Sequence, residues 1–487
     1  MLNDNPDIVL FTDICSPGFG RYAGTYRIAS EMRDAGYKVQ VIEYFTKWTT
    51  EQALTIIRKF ITKDTLWVGL STTFLEYERM FGTDKNRLQQ ISKTATITGR
   101  DDWPELVDEI RSINPNCKIV AGGTKVKQIR PDDDTFDIIV HGQGEDSVLE
   151  LTENLVSKFP NRRNYTYNSF ERFSSCSIKW EDNDLIFPRE HLPIEIARGC
   201  IFKCSYCSYA LNGKKLWEFN RTPELVRKEI DNANRRFGSS GFMFCDDTYN
   251  DSPDKVQKFH DELSKLDYDI EFSSFARLDL IISHWKTAKL LYDTGLRSVF
   301  FGVESFNTES GKAIGKGMAG EKLKEGLYRL KEECPEMIIL TGLIVGLPYD
   351  TPETLRRNNE WLMKPDCPVD VISYHPLNIQ PGESSLMSRN PNDHGYTLDG
   401  KGGWTRSDGF THGEAIDLAK DMQLEYARKE PLKRGAWTFF NRFQNLGFTR
   451  EQFKKPSLGY KNEVLDSEVM KREADLKDFY HSRLLSL

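Results

Sequence analysis

The chain has 487 residues, of which 39% are hydrophobic and 12% aromatic. That length suits about three domains of roughly 150 residues each, and the apolar share excludes a disordered chain. The formal net charge is −7, with acidic and basic residues mixed along the chain, so we expect no extended nucleic-acid groove.

The N-terminus and the cysteines bear on the cellular compartment. The first residues lack the basic and apolar regions of a secretory signal, and no stretch reaches the roughly 18 apolar residues of a membrane span. The nine cysteines are odd in number and scattered apart from one trio, so a disulfide framework is not expected. We therefore expect a cytoplasmic protein that does not enter a membrane.

The first part of the chain alternates apolar strands with helical stretches. The predicted strands are DIVLFTD, KVQVIEY, LWVGLS, CKIVAGG and FDIIVHG. This alternation predicts a parallel sheet with helices on both faces, in which ligands bind at the carboxyl ends of the strands. We assign the sheet to residues 1–160, with a polar insertion from Glu76 to Arg100. A linker with a small hairpin, turning at Asp182 to Asp184, is assigned to residues 161–190.

A second alternating series begins at PIEIARGC. Its predicted strands are IEIA, GFMFC, IEFSSFA, SVFFGVE, MIILTGLIVG and VDVISYHPL. Six strand–helix units predict a partial TIM barrel, (βα)6, with catalytic groups at the carboxyl ends of its strands. We assign it to residues 191–387. Residues 388–487 lose the alternation, and we expect a mostly helical region that caps the barrel mouth and shapes the substrate pocket.

Three cysteines stand close together directly after the first strand of the second series. They are Cys200, Cys204 and Cys207 in CIFKCSYC. Thiolates are soft ligands for zinc or for the iron of an iron–sulfur cluster. A structural zinc site is the alternative, but it normally takes four protein ligands, and no fourth Cys or His lies nearby in the sequence. Three thiolates on one loop instead leave the fourth iron of a cluster open.

This loop resembles the hallmark of the radical SAM superfamily, which uses S-adenosylmethionine (SAM). Further segments resemble that superfamily in order, over about residues 190 to 385: FCDDTYN, SFARLD, GVES and GLIVGLP. The resemblance implies SAM contacts at Tyr206, Asp246 or Asp247, Arg277, Glu304, Ser305, Ile344 and Gly346. Among these, an aspartate would bind the methionine amino group and Arg277 the carboxylate. FCDDTYN departs from the Gly-Gly-Glu turn of the family, so either aspartate can take that role.

The same resemblance implies a [4Fe–4S] cluster held by the three cysteines. The reduced cluster would cleave SAM to methionine and a 5′-deoxyadenosyl radical. It also implies an electron donor such as flavodoxin or ferredoxin, and a small-molecule or natural-product-like substrate.

The first domain resembles the Rossmann-like, cobalamin-binding domain that precedes many radical SAM domains. Glycines at the predicted strand ends would admit a flat ring, and hydroxyls would meet its nucleotide tail. The residues concerned are Ser71, Thr72, Gly122, Gly123, Gly142 and Gly144. The axial-histidine motif Asp-x-His-x-x-Gly is absent, so the alternative is a domain that has kept the fold without the cofactor.

With cobalamin, the resemblance implies a methyltransferase acting on an unactivated centre. Without it, a non-methylating oxidoreductase, cyclase or rearrangement enzyme is the alternative. A methylthiotransferase would need three cysteines in the first domain, which has only Cys15 and Cys117. A non-enzymatic sensor with a structural cluster is a further alternative, and the missing fourth ligand argues against it.

The C-terminal region holds a run of basic residues that leads into aromatic ones. It extends from Ala427 through Arg434 to Trp437 and Phe443. Such a run can bind a phosphate and stack on a base, but it is more typical of an amphipathic helix with buried aromatics. We favour the amphipathic helix.

Overall fold

The computed structural model describes residues 5–16, 18–73, 98–167, 172–209, 211–318, 320–379, 384–400, 402–429, 441–449 and 462–487. The chain divides into two compact units. Unit 1 comprises Met1–Pro193, Arg235–Gly238 and Lys471–Leu487, and unit 2 comprises Ile194–Asn234 and Ser239–Met470. Residues 74–97, which are most of the predicted insertion, and 430–440, which are most of the basic–aromatic run, lie outside the described residues.

Unit 1 contains a parallel sheet of six strands. They are β1 (Ile8–Phe11), β2 (Val39–Ile42), β3 (Trp67–Ser71), β4 (Lys118–Gly122), β5 (Ile138–Gly142) and β6 (Asn164–Tyr167). Their order is β2-β1-β3-β4-β5-β6, and all the pairs are parallel. The inner strands β1, β3 and β4 are mostly apolar and buried, as expected when helices cover both faces of a parallel sheet. The Rossmann-like prediction is confirmed.

The helices of unit 1 lie between these strands. They are α1 (Ala23–Asp34), α2 (Thr50–Phe60), α3 (Trp103–Ile113) and α4 (Gly144–Val156). The start of α2 shows why a helix begins there, because Thr49 and Gln52 form a reciprocal capping box. Short 3₁₀ turns occur at Phe45–Lys47, Thr124–Gln128 and Asp182–Asp184.

The predicted linker differs from the structure in two respects. It contains the sixth strand, β6, at the edge of the sheet. The chain turns at Asp182–Asp184 as expected, but the described flanking residues 172–181 and 185–191 form no strand, so the hairpin is wrong. The Asp184 carboxylate accepts bonds of 2.7 and 2.8 Å from Arg33 of α1. The segment is therefore held against α1 instead of pairing with itself.

Unit 2 is built on a second six-stranded sheet. Its strands are β7 (Leu192–Glu195), β8 (Gly241–Cys245), β9 (Glu271–Ala276), β10 (Leu296–Glu304), β11 (Ile338–Val345) and β12 (Val371–Pro376). They follow one another in the order β12-β11-β10-β9-β8-β7. Sequential strands with intervening helices are the arrangement of a partial barrel, as predicted. An apolar cluster of Ile338, Leu340 and Val371, with Phe300 packed against it, contributes to the core.

The remaining described helices separate the strands of unit 2 or follow them along the chain, and most of the last helix, from Lys471 onward, belongs to unit 1. They are α5 (Pro223–Phe237), α6 (Pro253–Leu263), α7 (Leu278–Ser283), α8 (Lys286–Thr294), α9 (Thr308–Ala313), α10 (Glu321–Glu333), α11 (Pro352–Leu362), α12 (Leu386–Arg389), α13 (His412–Lys429), α14 (Asn441–Gln444) and α15 (Asn462–Ser486). A short antiparallel pair, β13 (Tyr396–Leu398) with β14 (Trp404–Arg406), follows a 3₁₀ turn at Asn392–His394. No helix of the described residues has the length and apolarity of a membrane span.

The predicted C-terminal cap divides between the two units. Helix α13 packs within unit 2, where the Gln423 side chain accepts a 3.1 Å bond from Tyr374 N. Lys471–Leu487 belong to unit 1 instead. There Tyr480 is fully buried and accepts a 3.3 Å hydrogen bond from Glu43 N. The expectation that residues 388–487 act as one barrel cap therefore does not describe the last helix, whose apolar side chains complete unit 1.

Candidate functional site

The three predicted cluster cysteines lie on a folded loop that follows β7. Gly199, just before Cys200, has φ +75°, and a Cβ there would lie 2.5 Å from Leu211, so the position requires glycine. Cys200 O accepts a 2.7 Å bond from Gly213 N, which closes the loop at its far end. Within the loop, Cys207 N donates to Cys204 O at 3.0 Å. The three thiols are half-buried and not disulfide-bonded.

The donor set of this loop suits a cluster in its chemistry. Among the residues that the structure describes, no three His, Cys, Asp or Glu side chains are arranged to hold one metal ion. In a cubane cluster each cysteine binds a different iron, so the three sulfurs do not need to converge on one point. Thiols are the side chains that iron–sulfur clusters use, and this loop presents three of them.

Arg277 follows β9 and reaches the cysteine loop. Its Nη1 lies 3.8 Å from Cys204 Sγ, and its guanidinium carbon lies 3.9 Å from the centre of the Phe202 ring. Asp279 receives bonds of 3.0 Å from Nε and 2.6 Å from Nη2. The residue predicted to bind the SAM carboxylate thus already holds a carboxylate partner of its own.

The two aspartates after β8 have different surroundings. Asp246 is buried, accepts a 2.9 Å bond from Thr248 N and lies 2.7 Å from Lys255 Nζ. Asp247 is exposed, yet desolvation by the surrounding protein, followed by the charge of Asp246, raises its pKa to about 6. A backbone hydrogen bond from Gly199 to the Asp247 carboxylate partly opposes this rise in pKa. Of the two carboxylates, Asp247 is thus the exposed one and Asp246 the one held in a buried ion pair.

The end of β10 brings two predicted residues together. Glu304 has φ +64°, and the register with β11 shifts between Gly302 and Glu304. Its carboxylate accepts a 2.7 Å bond from the Tyr206 hydroxyl and lies 3.5 Å from Lys316 Nζ. Burial, together with the neighbouring Glu304 charge, raises the pKa of Tyr206 well above its usual range. A non-glycine residue in the left-handed region is a form of strain that proteins concentrate at functional sites.

The Ser305 hydroxyl is directed at a buried carboxylate of the protein. It is buried and donates a 3.1 Å bond to the Asp350 carboxylate, which also accepts a 3.2 Å bond from Ser310. Burial raises the pKa of Asp350 to about 6, against the lowering effect of these two hydroxyls. Ser305 thus supports the chain beyond β10. Asp350 was not among the predicted site residues, although it closely follows the GLIVGLP segment.

Ile344 and Gly346 lie where β11 ends. Ile344 is paired in register with His375 of β12, whose side chain is exposed. Gly346 has φ +107°, and a Cβ there would lie 2.6 Å from the Trp404 ring. Tyr396 donates a 2.7 Å bond to Gly346 O, and Arg406 donates a 2.6 Å bond to Leu347 O. The β13–β14 hairpin therefore holds this turn, which no sequence motif indicated.

In unit 1, four predicted residues meet where β3 and β4 end. Ser71 is paired in register with Gly122. Thr72 Oγ1 donates to Gly122 O at 2.8 Å and accepts from Lys125 N at 3.2 Å. Gly123 has φ +101°, and a Cβ there would lie 2.5 Å from Thr73 Oγ1. Both hydrogen bonds of the Thr72 hydroxyl are thus to the backbone of the glycine turn, which they stabilise.

The predicted glycines of unit 1 differ in the space beside them and in their backbone conformation. A Cβ on Gly122 would meet no atom of the described residues within 4 Å, so the space beside it is open within this part of the chain. Gly144 begins α4, and a Cβ there would lie 2.7 Å from Ile28 Cδ1, which is a packing constraint. Gly142 ends β5 with φ +75°. An open glycine at the carboxyl edge of a parallel sheet fits a flat ligand such as cobalamin.

Comparison with known proteins shows that part of the chain matches a known family. Residues 194–362 match the radical SAM superfamily. These residues form a radical SAM domain. The domain contains the cysteine loop and the carboxyl ends of β8, β10 and β11, which hold the other side chains described above.

The curated relatives of the chain are named for different reactions. An uncharacterized methyltransferase of Pyrococcus horikoshii is 23% identical over 313 residues, which are 59% of this chain and 66% of that protein. The anaerobic magnesium-protoporphyrin IX monomethyl ester cyclase of Rubrivivax gelatinosus is 24% identical, over 50% of this chain and 48% of that protein. The match thus spans less than two thirds of the length of these relatives.

Solved structures share the fold of both units. The radical SAM methyltransferase TsrM of Kitasatospora setae, with cobalamin and a [4Fe–4S] cluster bound, matches with a TM-score of 0.58 and 16% identity, covering 81% of this chain and 80% of TsrM. The cobalamin-dependent radical SAM enzyme OxsB matches with a TM-score of 0.55 and 17% identity, covering 80% of this chain and 56% of OxsB. A Rossmann-like sheet followed by a radical SAM domain is thus an arrangement found in solved radical SAM enzymes.

Proposed function

We propose that this protein is a radical SAM enzyme that binds a [4Fe–4S] cluster at Cys200, Cys204 and Cys207 and transfers a methyl group to an unactivated centre with the help of cobalamin. The observation that carries the proposal is the position of the cysteine loop, at the first strand end of the radical SAM domain. When bound, the cluster supplies the electron that cleaves SAM into methionine and a 5′-deoxyadenosyl radical.

The chain's own residues would hold SAM at the barrel mouth. Asp247, exposed and desolvated, binds the methionine ammonium group. Glu304, held by Tyr206, receives the ribose hydroxyls. Ile344 and the turn at Gly346 pack against the adenine. Charge-assisted bonds of this kind are the stronger ones in proteins, and they orient a bound molecule without taking part in the chemistry.

In unit 1, cobalamin would lie along the carboxyl ends of the strands. The open space at Gly122 admits its ring, and Ser71, Thr72, Gly123, Gly142 and Gly144 shape the edge. The substrate class we propose is a small molecule or natural product. The electron donor is a flavodoxin or ferredoxin, and the location is the cytoplasm.

The first test is metal content after anaerobic reconstitution with iron and sulfide. The wild-type protein is expected to hold four irons and, with dithionite and SAM, to form 5′-deoxyadenosine. Cys204→Ala abolishes both, because one cluster ligand is lost. Cys176→Ala, which removes a half-buried thiol outside the motif, retains both. Bound zinc in place of iron, or an unchanged iron content in Cys204→Ala, would overturn the assignment.

The second test concerns cobalamin. The visible spectrum after loading with hydroxocobalamin measures occupancy directly. Gly122→Leu fills the open space and is expected to lower occupancy, whereas Gly24→Leu, at an equally open position on α1, is not. A wild-type protein that binds no cobalamin would contradict the methyltransferase proposal and leave a non-methylating radical reaction in its place.

A further inference from the structure

The guanidinium of Arg277 is held in one position by contacts on three sides. Asp279 takes two of its N–H groups, at 3.0 and 2.6 Å. The Phe202 ring lies against its face, 3.9 Å from the guanidinium carbon. The third side, Nη1, is directed at Cys204 Sγ at 3.8 Å. Arg277 is only 5% exposed, so water does not screen this contact.

The backbone beneath Arg277 is also held. The buried Asn250 side chain donates a 2.8 Å bond to Arg277 O and accepts a 2.8 Å bond from Arg277 N. Gly317 N donates to the Asp279 carboxylate at 3.2 Å. Arg277 and Asp279 thus keep their places through bonds within the barrel, and the contact with Cys204 does not depend on a ligand to form it.

The thiols of Cys200 and Cys204 have different neighbours. Cys200 Sγ lies 3.2 Å from the hydroxyl of Thr248, a neutral partner. Cys204 Sγ instead faces a guanidinium, which carries its positive charge at all ordinary pH values. A hydrogen bond from a charged donor to a thiolate is stronger than one from a hydroxyl.

We propose that Arg277 raises the reduction potential of the cluster by donating an N–H to the Cys204 thiolate, and that Asp279 limits this effect by offsetting the charge of Arg277. The proposal rests on the cluster assignment made above. Hydrogen bonds to the cysteine sulfurs and nearby charge are among the factors that set the potential of an iron–sulfur cluster. A positive neighbour stabilises the reduced cluster because that state carries one more negative charge.

This role differs from the one that the resemblance implied for Arg277. A side chain that binds the SAM carboxylate needs N–H groups directed at the open site. In Arg277, Nε and Nη2 are directed at Asp279 and Nη1 at a cluster ligand, and the side chain is buried. Arg277 is therefore a positioning residue that acts on the cluster through Cys204.

The experiment is a potentiometric titration of the full-length, reconstituted protein without SAM. Dithionite supplies one electron to each cluster, and electron paramagnetic resonance measures the reduced fraction at each potential. Arg277→Gln is expected to shift the midpoint potential to more negative values, because it removes the charge. Asp279→Asn is expected to shift it to more positive values, because it leaves the charge of Arg277 uncompensated. Arg277→Lys, which keeps the charge and loses the fork geometry, lies between wild type and Arg277→Gln.

Opposite shifts from two neighbouring substitutions distinguish this role from a purely structural one. Arg297→Gln, which changes an arginine of β10 that pairs with Glu336, serves as the control with an unchanged potential. An Arg277→Gln cluster with the wild-type potential and a weakened affinity for SAM would overturn the inference and return Arg277 to the SAM carboxylate. If Arg277→Gln fails to assemble a cluster, Arg277→Lys and Asp279→Asn decide the matter. A wild-type protein that forms no cluster refutes the proposed function itself, which is a separate result.

Discussion

Two neighbouring carboxyls at the end of β8 have opposite environments, and the difference decides what each can do. Asp246 is buried in an ion pair with Lys255, while Asp247 is exposed. The sequence shows only two adjacent aspartates. The partner that distinguishes them is Lys255, which lies in the next helix, α6, and contacts Asp246 only in the folded barrel.

Substitution of each aspartate is expected to affect a different property. Asp247→Asn would remove the charge-assisted bond that we propose between Asp247 and the SAM ammonium group. Such a bond is worth about 1.5 to 3 kcal/mol, so SAM affinity is expected to fall roughly tenfold or more. Asp246→Asn removes one of the two carboxylates that pair with the buried Lys255, which keeps Asp251 at 3.1 Å, and is expected to destabilise unit 2 by about 1 to 3 kcal/mol. Calorimetric titration with SAM and thermal unfolding measure the two effects. A weaker affinity in a fully stable Asp246→Asn variant would reverse the assignment.

Asp350 is expected to make stability depend on pH. Its folded pKa of about 6 lies above the ordinary value, so the protonated form is favoured in the folded protein. The stability that it contributes is present below about pH 4 and is lost as pH rises to about 6, with a loss of about 3 kcal/mol.

Thermal unfolding between pH 4 and 7 checks this expectation. The melting temperature of Asp350→Asn, relative to that of wild type, is expected to rise across this interval. Asp393→Asn, at an exposed site, provides the comparison. A constant difference between wild type and Asp350→Asn over the whole range would contradict the expectation.

At the scale of elements, eleven of the twelve strands in the two parallel sheets were predictable, whereas β6 and the late hairpin were not. Buried parallel strands appear in a sequence as short apolar runs, and the runs of β1 to β5 and β7 to β12 were recognised in this way. The strand β6, with the sequence NYTY, has only one buried residue and lacks such a run. The β13–β14 hairpin was missed because its role depends on contacts with a turn about fifty residues earlier.

The cysteine loop was predictable because three thiols in eight residues have few explanations. The environment of Arg277 was not, because Phe202, Asp279 and Cys204 come together only when the loop after β7 meets the end of β9.

The hairpin is expected to control the turn at the end of β11. Gly346→Ala places a methyl group 2.6 Å from Trp404 and should lower both the melting temperature and the SAM affinity. The affinity falls about tenfold for each 1.4 kcal/mol of binding free energy that is lost when the turn moves. Gly400→Ala is the matched control, because Gly400 also has a positive φ and a Cβ there meets no atom within 4 Å. Equal losses in the two variants would mean that backbone strain alone is responsible.

At the scale of the whole molecule, the last helix belongs with the first sheet. The buried Tyr480 ring lies 5.5 Å from that of Tyr44 and 6.3 Å from that of Trp48, and all three lie within unit 1. No local pattern in the sequence shows this, since the contacts join residues more than 400 positions apart. The domain limits predicted from the sequence therefore could not place Lys471–Leu487 in the same unit as the first sheet.

Tyr480→Ala is expected to destabilise unit 1 by about 3 to 5 kcal/mol, because it leaves a cavity among buried aromatics. The three cysteines that we propose as cluster ligands lie in unit 2, so iron content should be unchanged. Calorimetry and iron analysis measure the two properties. Leu487→Ala, at an exposed site on the same segment, should leave both as in wild type. Loss of iron from Tyr480→Ala would contradict the assignment of the last helix to unit 1.

The position of that helix also has a consequence for biosynthesis. Roughly 280 residues separate Pro193, where the first part of unit 1 ends, from Lys471. At about 5 to 20 residues per second, a ribosome takes roughly 15 to 55 s to translate them. During that interval the nascent first sheet leaves Tyr44 and Trp48 without their later partner. A chain whose translation stops early would keep this aromatic surface uncovered, which gives chaperones and proteases a means of recognising it.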